Sequence, residues 1–257
     1  MAKSQPKHLN TRAVLAHNLV VKYHSDRPPD AAVKRCLCKA VNIAGSVMLS
    51  TVWEIDKIVL FHRDEKTPMT EILDKHFCMN RDTNYASTVA NKKLVNAKNR
   101  RAFLAKVRKV MLSTSFHLNT GVYLLDVDAG HRTTVGDFHI DNLDGGWKEA
   151  DSSGTKNVVA RNIEGYVQQR TKDTGPIHVA FELCKSYSPE EIARVIIHEA
   201  THSFCRTTDV VYCWDANYDQ KTPAEMLTNA DSFAFAAMSI KAKRMLDSDG
   251  LKNYTYS

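Results

Sequence analysis

The chain has 257 residues, 43% of them apolar and 25% charged, with a formal net charge of +6. Those proportions exclude wholesale disorder and collagen-like or mucin-like chains, leaving a packed protein with one sizeable core, or one core plus a small satellite. No stretch reaches the ~18 uncharged apolar residues that a membrane helix needs, because the best candidate, Val41 to Trp53, is broken by Asn42, Ser46, Ser50 and Thr51.

The N-terminal residues Met1 to His8 lead into an apolar run, Ala13 to Val21, that His17 and Asn18 interrupt. A secretory signal needs a cleaner segment. We therefore expect synthesis in a cytosol, with export by a route that ignores N-terminal signals left open. Residues 9 to 61 read as helical, with Pro28-Pro29-Asp30 as a break that caps a helix starting near Ala31. A second helical block is expected from about Thr67 to Met111, with Thr67 as its cap and Pro68 just inside its start.

Charge is unevenly spread. Residues 83 to 125 contain no Asp or Glu but carry Lys92, Lys93, Lys98, Arg100, Arg101, Lys106, Arg108 and Lys109. Leu94, Phe103, Leu104, Val107, Val110 and Met111 recur there at roughly helical spacing, so the segment reads as an amphipathic helix with a cationic outer face. Such a face either binds an anionic partner, nucleic acid included, or simply faces water.

From Gly121 to Gly175 the texture changes: eight of the ten glycines fall there, which suits turns and short strands. The segments from Gly121 to Asp128 and from Ile177 to Cys184 are the expected strands, rich in β-branched and aromatic residues. Two helix starts follow. Ser188-Pro189-Glu190-Glu191 and Thr222-Pro223-Ala224-Glu225 each combine a capping box with proline at the first helical position. Six cysteines, at 36, 38, 78, 184, 205 and 213, are too sparse for a disulfide scaffold, and Cys205 with Cys213 would pair only in an oxidising compartment.

The chemistry lies in His198-Glu199-Ala200-Thr201-His202. Four residues apart on one helix, His198 and His202 stack on a single face and can share one metal ion, while Glu199 can take a proton from a water at the ion's open position. With 11 His and 10 Glu in the chain, random placement supplies this pattern with a probability of only ~2%. Apolar Ile192, Val195, Ile196 and Ile197 offer a face to bury behind it.

Two histidines leave the site incomplete. No histidine follows His202, and the longer metzincin pattern fails at Cys205 and Thr208. Glu225 is the only downstream glutamate, and its better use is the capping box. Cys205 lies about 10 Å of axial rise from His198, too far for one ion. Asp209 is the strongest third ligand, because the helix should end near Cys205 or Arg206 and Thr207-Thr208 can turn the chain back beneath the histidines.

Thr207-Thr208-Asp209-Val210-Val211-Tyr212 resembles the TxDxxY core of the GTxDxxYG motif of aspzincins, the deuterolysin and lysine-specific metalloendopeptidase family. Asn229-Ala230-Asp231-Ser232-Phe233 resembles the asparagine-alanine-aspartate segment that follows it there, and the likeness covers about residues 177 to 240. The resemblance implies that His198, His202 and Asp209 bind Zn2+, that Glu199 is general base and then acid, that Tyr212 helps stabilise the oxyanion, and that Asp231 orients a histidine ligand. Both motif glycines are replaced, by Arg206 and Cys213. Family members that prefer lysine use acidic pocket residues, for which Asp215, Asp219 and Asp231 are available here.

The expectation is an α+β zincin-like metallopeptidase: a helix-rich N-terminal half, a small twisted β-sheet and an active-site helix bearing HExxH. Residues 1–60 would form a helical extension or subdomain and 61–257 the aspzincin-like domain. The activity would be a zinc-dependent endopeptidase acting on protein or peptide substrates through a Glu199-activated zinc-bound water. The strand from Ile177 would receive an extended substrate by edge pairing. A toxin or effector with an inhibitor or immunity partner fits the missing signal, with residues 1 to 60 serving delivery, inhibition or docking. The alternative is a nucleic-acid or acidic-partner binding protein that uses the basic 83–125 face and carries a vestigial metal site.

Overall fold

The computed structural model describes residues 11–23, 28–63, 66–79, 99–126, 165–167 and 177–252. The architecture is α+β. Its strands are β1 (Thr11–Ala16), β2 (Leu19–Tyr23), β3 (Val122–Asp126), β4 (Gly165–Val167) and β5 (Ile177–Val179). Its helices are α1 (Ala31–Val59), α2 (Pro68–His76), α3 (Arg100–Thr120), α4 (Pro189–Cys205), α5 (Pro223–Met226), α6 (Ala230–Ala242) and α7 (Ser248–Lys252).

The first element corrects the helical reading, which began at residue 9, over residues 11 to 23. A hairpin forms instead, with Thr11 opposite Tyr23 and only His17-Asn18 between the strands. In β2 the side chains of Leu19, Val21 and Tyr23 are buried and those of Val20 and Lys22 are not, a period of two that the β-branched valines favour. The interruption at Asn18 is the turn itself: its Nδ2 donates to the Leu118 carbonyl at 3.0 Å, tying the hairpin to the end of α3.

After Pro28-Pro29 the expected helix does start at Ala31, where Asp30 caps it by accepting the Val33 amide at 2.8 Å. By length and composition α1 is apolar enough to cross a membrane, but the fold uses it as a core helix. Leu37, Ala40, Ala44, Val47, Met48 and Ile55 are fully buried in a core to which α3, α4 and α6 also contribute. The described residues on either side of position 60 share that core and one sheet, since β2 pairs with β3.

Thr67 caps α2 with a reciprocal box to Thr70, as the sequence suggests. In α3, Phe103, Leu104, Val107, Val110 and Met111 are buried, so the periodic stripe faces inward. Leu94 and Lys92, Lys93 and Lys98 lie outside the described residues. The arginines of α3 turn to their own chain: Arg100 pairs with Asp74 at 2.8 Å, Arg101 donates to the Val59 carbonyl at 2.8 Å, and Arg108 grips Asp56.

The sheet order is β1-β2-β3-β5-β4, parallel from β2 through β3 to β5 and antiparallel at both ends. This corrects two details. The strand from Ile177 ends at Val179, because Asp126 Oδ1 captures the Phe181 amide at 2.9 Å and a 3-10 turn takes over Phe181–Lys185. Nor is it an edge, since β3 and β4 occupy its two sides, so an extended ligand cannot pair there.

Candidate metal centre

Helix α4 begins where the sequence places it. Ser188 accepts the Glu191 amide, Glu191 reaches back to the Ser188 amide at 2.7 Å, and Pro189 occupies the first turn. Ile192, Ala193, Ile196, Ile197 and Ala200 have no exposure, so packing fixes the helix in rotation and points His198 and His202 to one side. The helix ends at Arg206, which adopts a left-handed conformation at φ 58° and ψ 41°.

That reversal brings Asp209 back to the histidines. Thr208 bridges to Asn229 through the Thr208 amide on the Thr228 carbonyl at 2.7 Å and the Ala230 amide on the Thr208 carbonyl at 3.0 Å. Asn229 Oδ1 then accepts the amides of Val210 and Val211 at 3.0 and 3.3 Å. The start of α6 thus shapes the loop that presents Asp209. The resemblance marks Asn229 in the sequence, but its role in holding the loop shows only in the fold.

The three donor atoms converge. His198 Nε2 lies 3.1 Å from His202 Nε2, and Asp209 Oδ1 lies 2.9 and 3.1 Å from them. A tetrahedral ion with bonds of about 2.0–2.1 Å needs donors about 3.3 Å apart, so this triangle fits one face of such a site. Among the described residues it is the one group of three that could hold a metal. The outer nitrogens are fixed as metal ligands require: His202 Nδ1 donates to the Thr207 carbonyl at 2.7 Å, and His198 Nδ1 donates to Asp231 Oδ1 at 3.3 Å.

Electrostatics follow from crowding these groups. Burial opposes charge on His198, yet its hydrogen bonds to Asp209 and Asp231 hold its pKa up to about 10. Burial also works against ionised Asp209, but the two imidazoles override it and keep the carboxyl below its ordinary range. Burial raises the Glu199 carboxyl, whose Oε2 is enclosed with no hydrogen-bond partner. An enclosed carboxylate oxygen of this kind has room for a water, an ion or a ligand group as its partner.

The other candidates sort themselves out. Glu225 is committed to its capping box, with Oε2 accepting the Thr222 amide at 2.8 Å, and stands apart from the triad. Cys205 packs on α3, its sulfur 3.7 Å from the Val110 carbonyl, and both Cys205 and Cys213 are free thiols. Tyr212 is no core tyrosine: it is 37% exposed, and its ring stacks over His198 at 6.1 Å between centroids. Trp214, which no motif in the sequence marks, stacks in turn on Tyr212 at 4.9 Å.

No protein-family model matches this chain, and neither does any curated protein or solved structure.

Proposed function

We propose that the chain is a zinc-dependent endopeptidase of the zincin type, related in its site to the aspzincins. The observation that carries this reading is the convergence of Asp209 Oδ1 with the two imidazole Nε2 atoms, beside the partnerless Glu199 Oε2. His198, His202 and Asp209 would hold the ion, and mixed nitrogen and oxygen donors of this kind suit zinc. When bound, zinc polarises a carbonyl and lowers the pKa of water.

The chain's own residues supply the rest. Glu199 takes up and returns a proton, a role that fits a carboxyl whose Oε2 is enclosed beside the triad without another partner. The Tyr212 hydroxyl, held in an exposed ring beside His198, donates to the oxygen on which negative charge develops. Asp231 and the Thr207 carbonyl keep the imidazoles oriented. With β5 enclosed, the outer side of β4, where no other described strand pairs, is where an extended peptide would add.

Zinc stoichiometry and peptide hydrolysis test the reading together. The expected result is one zinc per chain, lost in His202→Ala and Asp209→Ala. Glu199→Gln should keep its zinc and lose about 10²–10⁴-fold in turnover. A Glu199→Gln chain that cuts as fast as the parent, or zinc that survives Asp209→Ala undiminished, overturns it.

A further inference from the structure

We infer that Trp214 selects the substrate: the chain cuts near an aromatic or large apolar residue, which packs on the open part of this indole. The inference rests on the peptidase reading and names its substrate class.

A ladder of near-parallel rings leads away from the triad. Tyr212 lies 6.1 Å from His198 with 13° between planes, and Trp214 lies 4.9 Å from Tyr212 with 2° between planes. Phe235 meets the indole edge-on at 6.4 Å. The ring is therefore held by its neighbours, yet Trp214 remains 50% exposed. Two ring steps correspond to about three residues of extended chain at ~3.3 Å each, so a side chain close to the scissile bond reaches the indole. A rigid aromatic surface binds flat or bulky apolar groups with little ordering cost.

Charge argues against a cationic side chain there. The carboxylates that might receive a lysine are already engaged: Asp231 is fully buried and accepts from His198 and the Cys213 amide, Asp215 accepts the Tyr212 amide, and Asp219 pairs with Lys75. A buried guanidinium, Arg194, lies 5.9 Å over the rings of both Trp214 and Phe235. The indole thus already serves one cation.

The test uses the full, zinc-loaded chain on a peptide mixture, with cut sites read by mass spectrometry. It is followed by kcat/KM on matched peptides that differ at one position within three residues of the cut. Phenylalanine and leucine peptides should exceed the alanine and lysine peptides by about tenfold. Trp214→Ala and Trp214→Gln should each collapse that ratio, and Trp214→Phe should retain it. The ratio in the unaltered chain needs no variant to fold. A lysine preference, or a ratio that survives loss of the indole, overturns the inference and leaves the peptidase reading standing. Failure of the zinc-loaded chain to cut any peptide overturns both.

Discussion

His198 Nδ1 lies 3.3 Å from Oδ1 of Asp231, a carboxylate with no solvent exposure. The other oxygen of Asp231 accepts the Cys213 amide at 2.6 Å. One buried side chain on α6 therefore holds both an imidazole of the triad and the loop that carries Tyr212 and Trp214.

Replacing that carboxylate should loosen the ion without removing a ligand. Asp231→Asn keeps the shape but loses the charge that raises imidazole basicity, and zinc affinity should fall about 10–100-fold. Competition against a chromogenic chelator measures it. Affinity equal to that of the parent would show that Asp231 serves the loop alone.

Asn229 makes a separable contribution. Its Oδ1 accepts two consecutive amides, and its Nδ2 donates to Ser232 Oγ at 2.9 Å, all with no exposure of the asparagine. Asn229→Ala strands those amides, at about 1–3 kcal/mol for a buried group left unpaired. Urea unfolding should register a loss of about 2–3 kcal/mol, and zinc should bind more weakly because the loop holding Asp209 is no longer pinned. A stability unchanged from the parent would mean that water replaces the amide oxygen at no cost.

How much of this was legible depended on the range of the interaction. The caps at Asp30, Thr67, Ser188 and Thr222 are local, set by residues three apart, and the structure has each where the sequence puts it. The inward stripe of α3 follows from its period alone. The β1–β2 hairpin is not legible locally because apolar Ala13 to Val21 suits helix or strand equally, and parallel pairing of β2 with β3 about a hundred residues on decides the matter. The end of β5 at Val179 likewise depends on a distant carboxylate, Asp126. At the site, the four-residue histidine spacing was readable, whereas the clamp by Asn229 and the ring ladder through Trp214 exist only once α6 packs beside α4.

Arg206 replaces a glycine of the resembling motif at a position where glycine has a physical advantage. Its left-handed backbone, φ 58° and ψ 41°, crowds a Cβ against the chain. Arg206→Gly should stabilise the fold by about 0.5–1 kcal/mol, the relief of that strain less the entropy a glycine adds to the unfolded chain. Thermal unfolding would show a rise in Tm. A fall would mean that the arginine side chain makes a contact worth more than its backbone strain.

His76 supplies the last prediction, and it concerns pH. The ring is 1% exposed, with Nδ1 3.1 Å from the Tyr218 hydroxyl and Nε2 3.1 Å from Ser239 Oγ. Ser239 Oγ also accepts the Leu246 amide at 3.0 Å, leaving its proton free to donate to Nε2, so the neutral ring satisfies every partner. Burial lowers the pKa from the ordinary 6.5 to about 4. Between those values the unfolded chain binds the proton more readily than the folded one. The contribution is therefore complete above pH 6.5 and drains away as pH falls toward 4, by about 3 kcal/mol in total. Unfolding free energies at steps from pH 7 to pH 4 should fall more steeply in the parent than in His76→Gln, which keeps hydrogen-bonding capacity but cannot titrate. Asp209, whose pKa is lowered, loses its contribution below the ordinary 3.8 and so stays out of that window. Parallel pH profiles in the two chains would mean that the ring takes up its proton in the folded state as easily as in water.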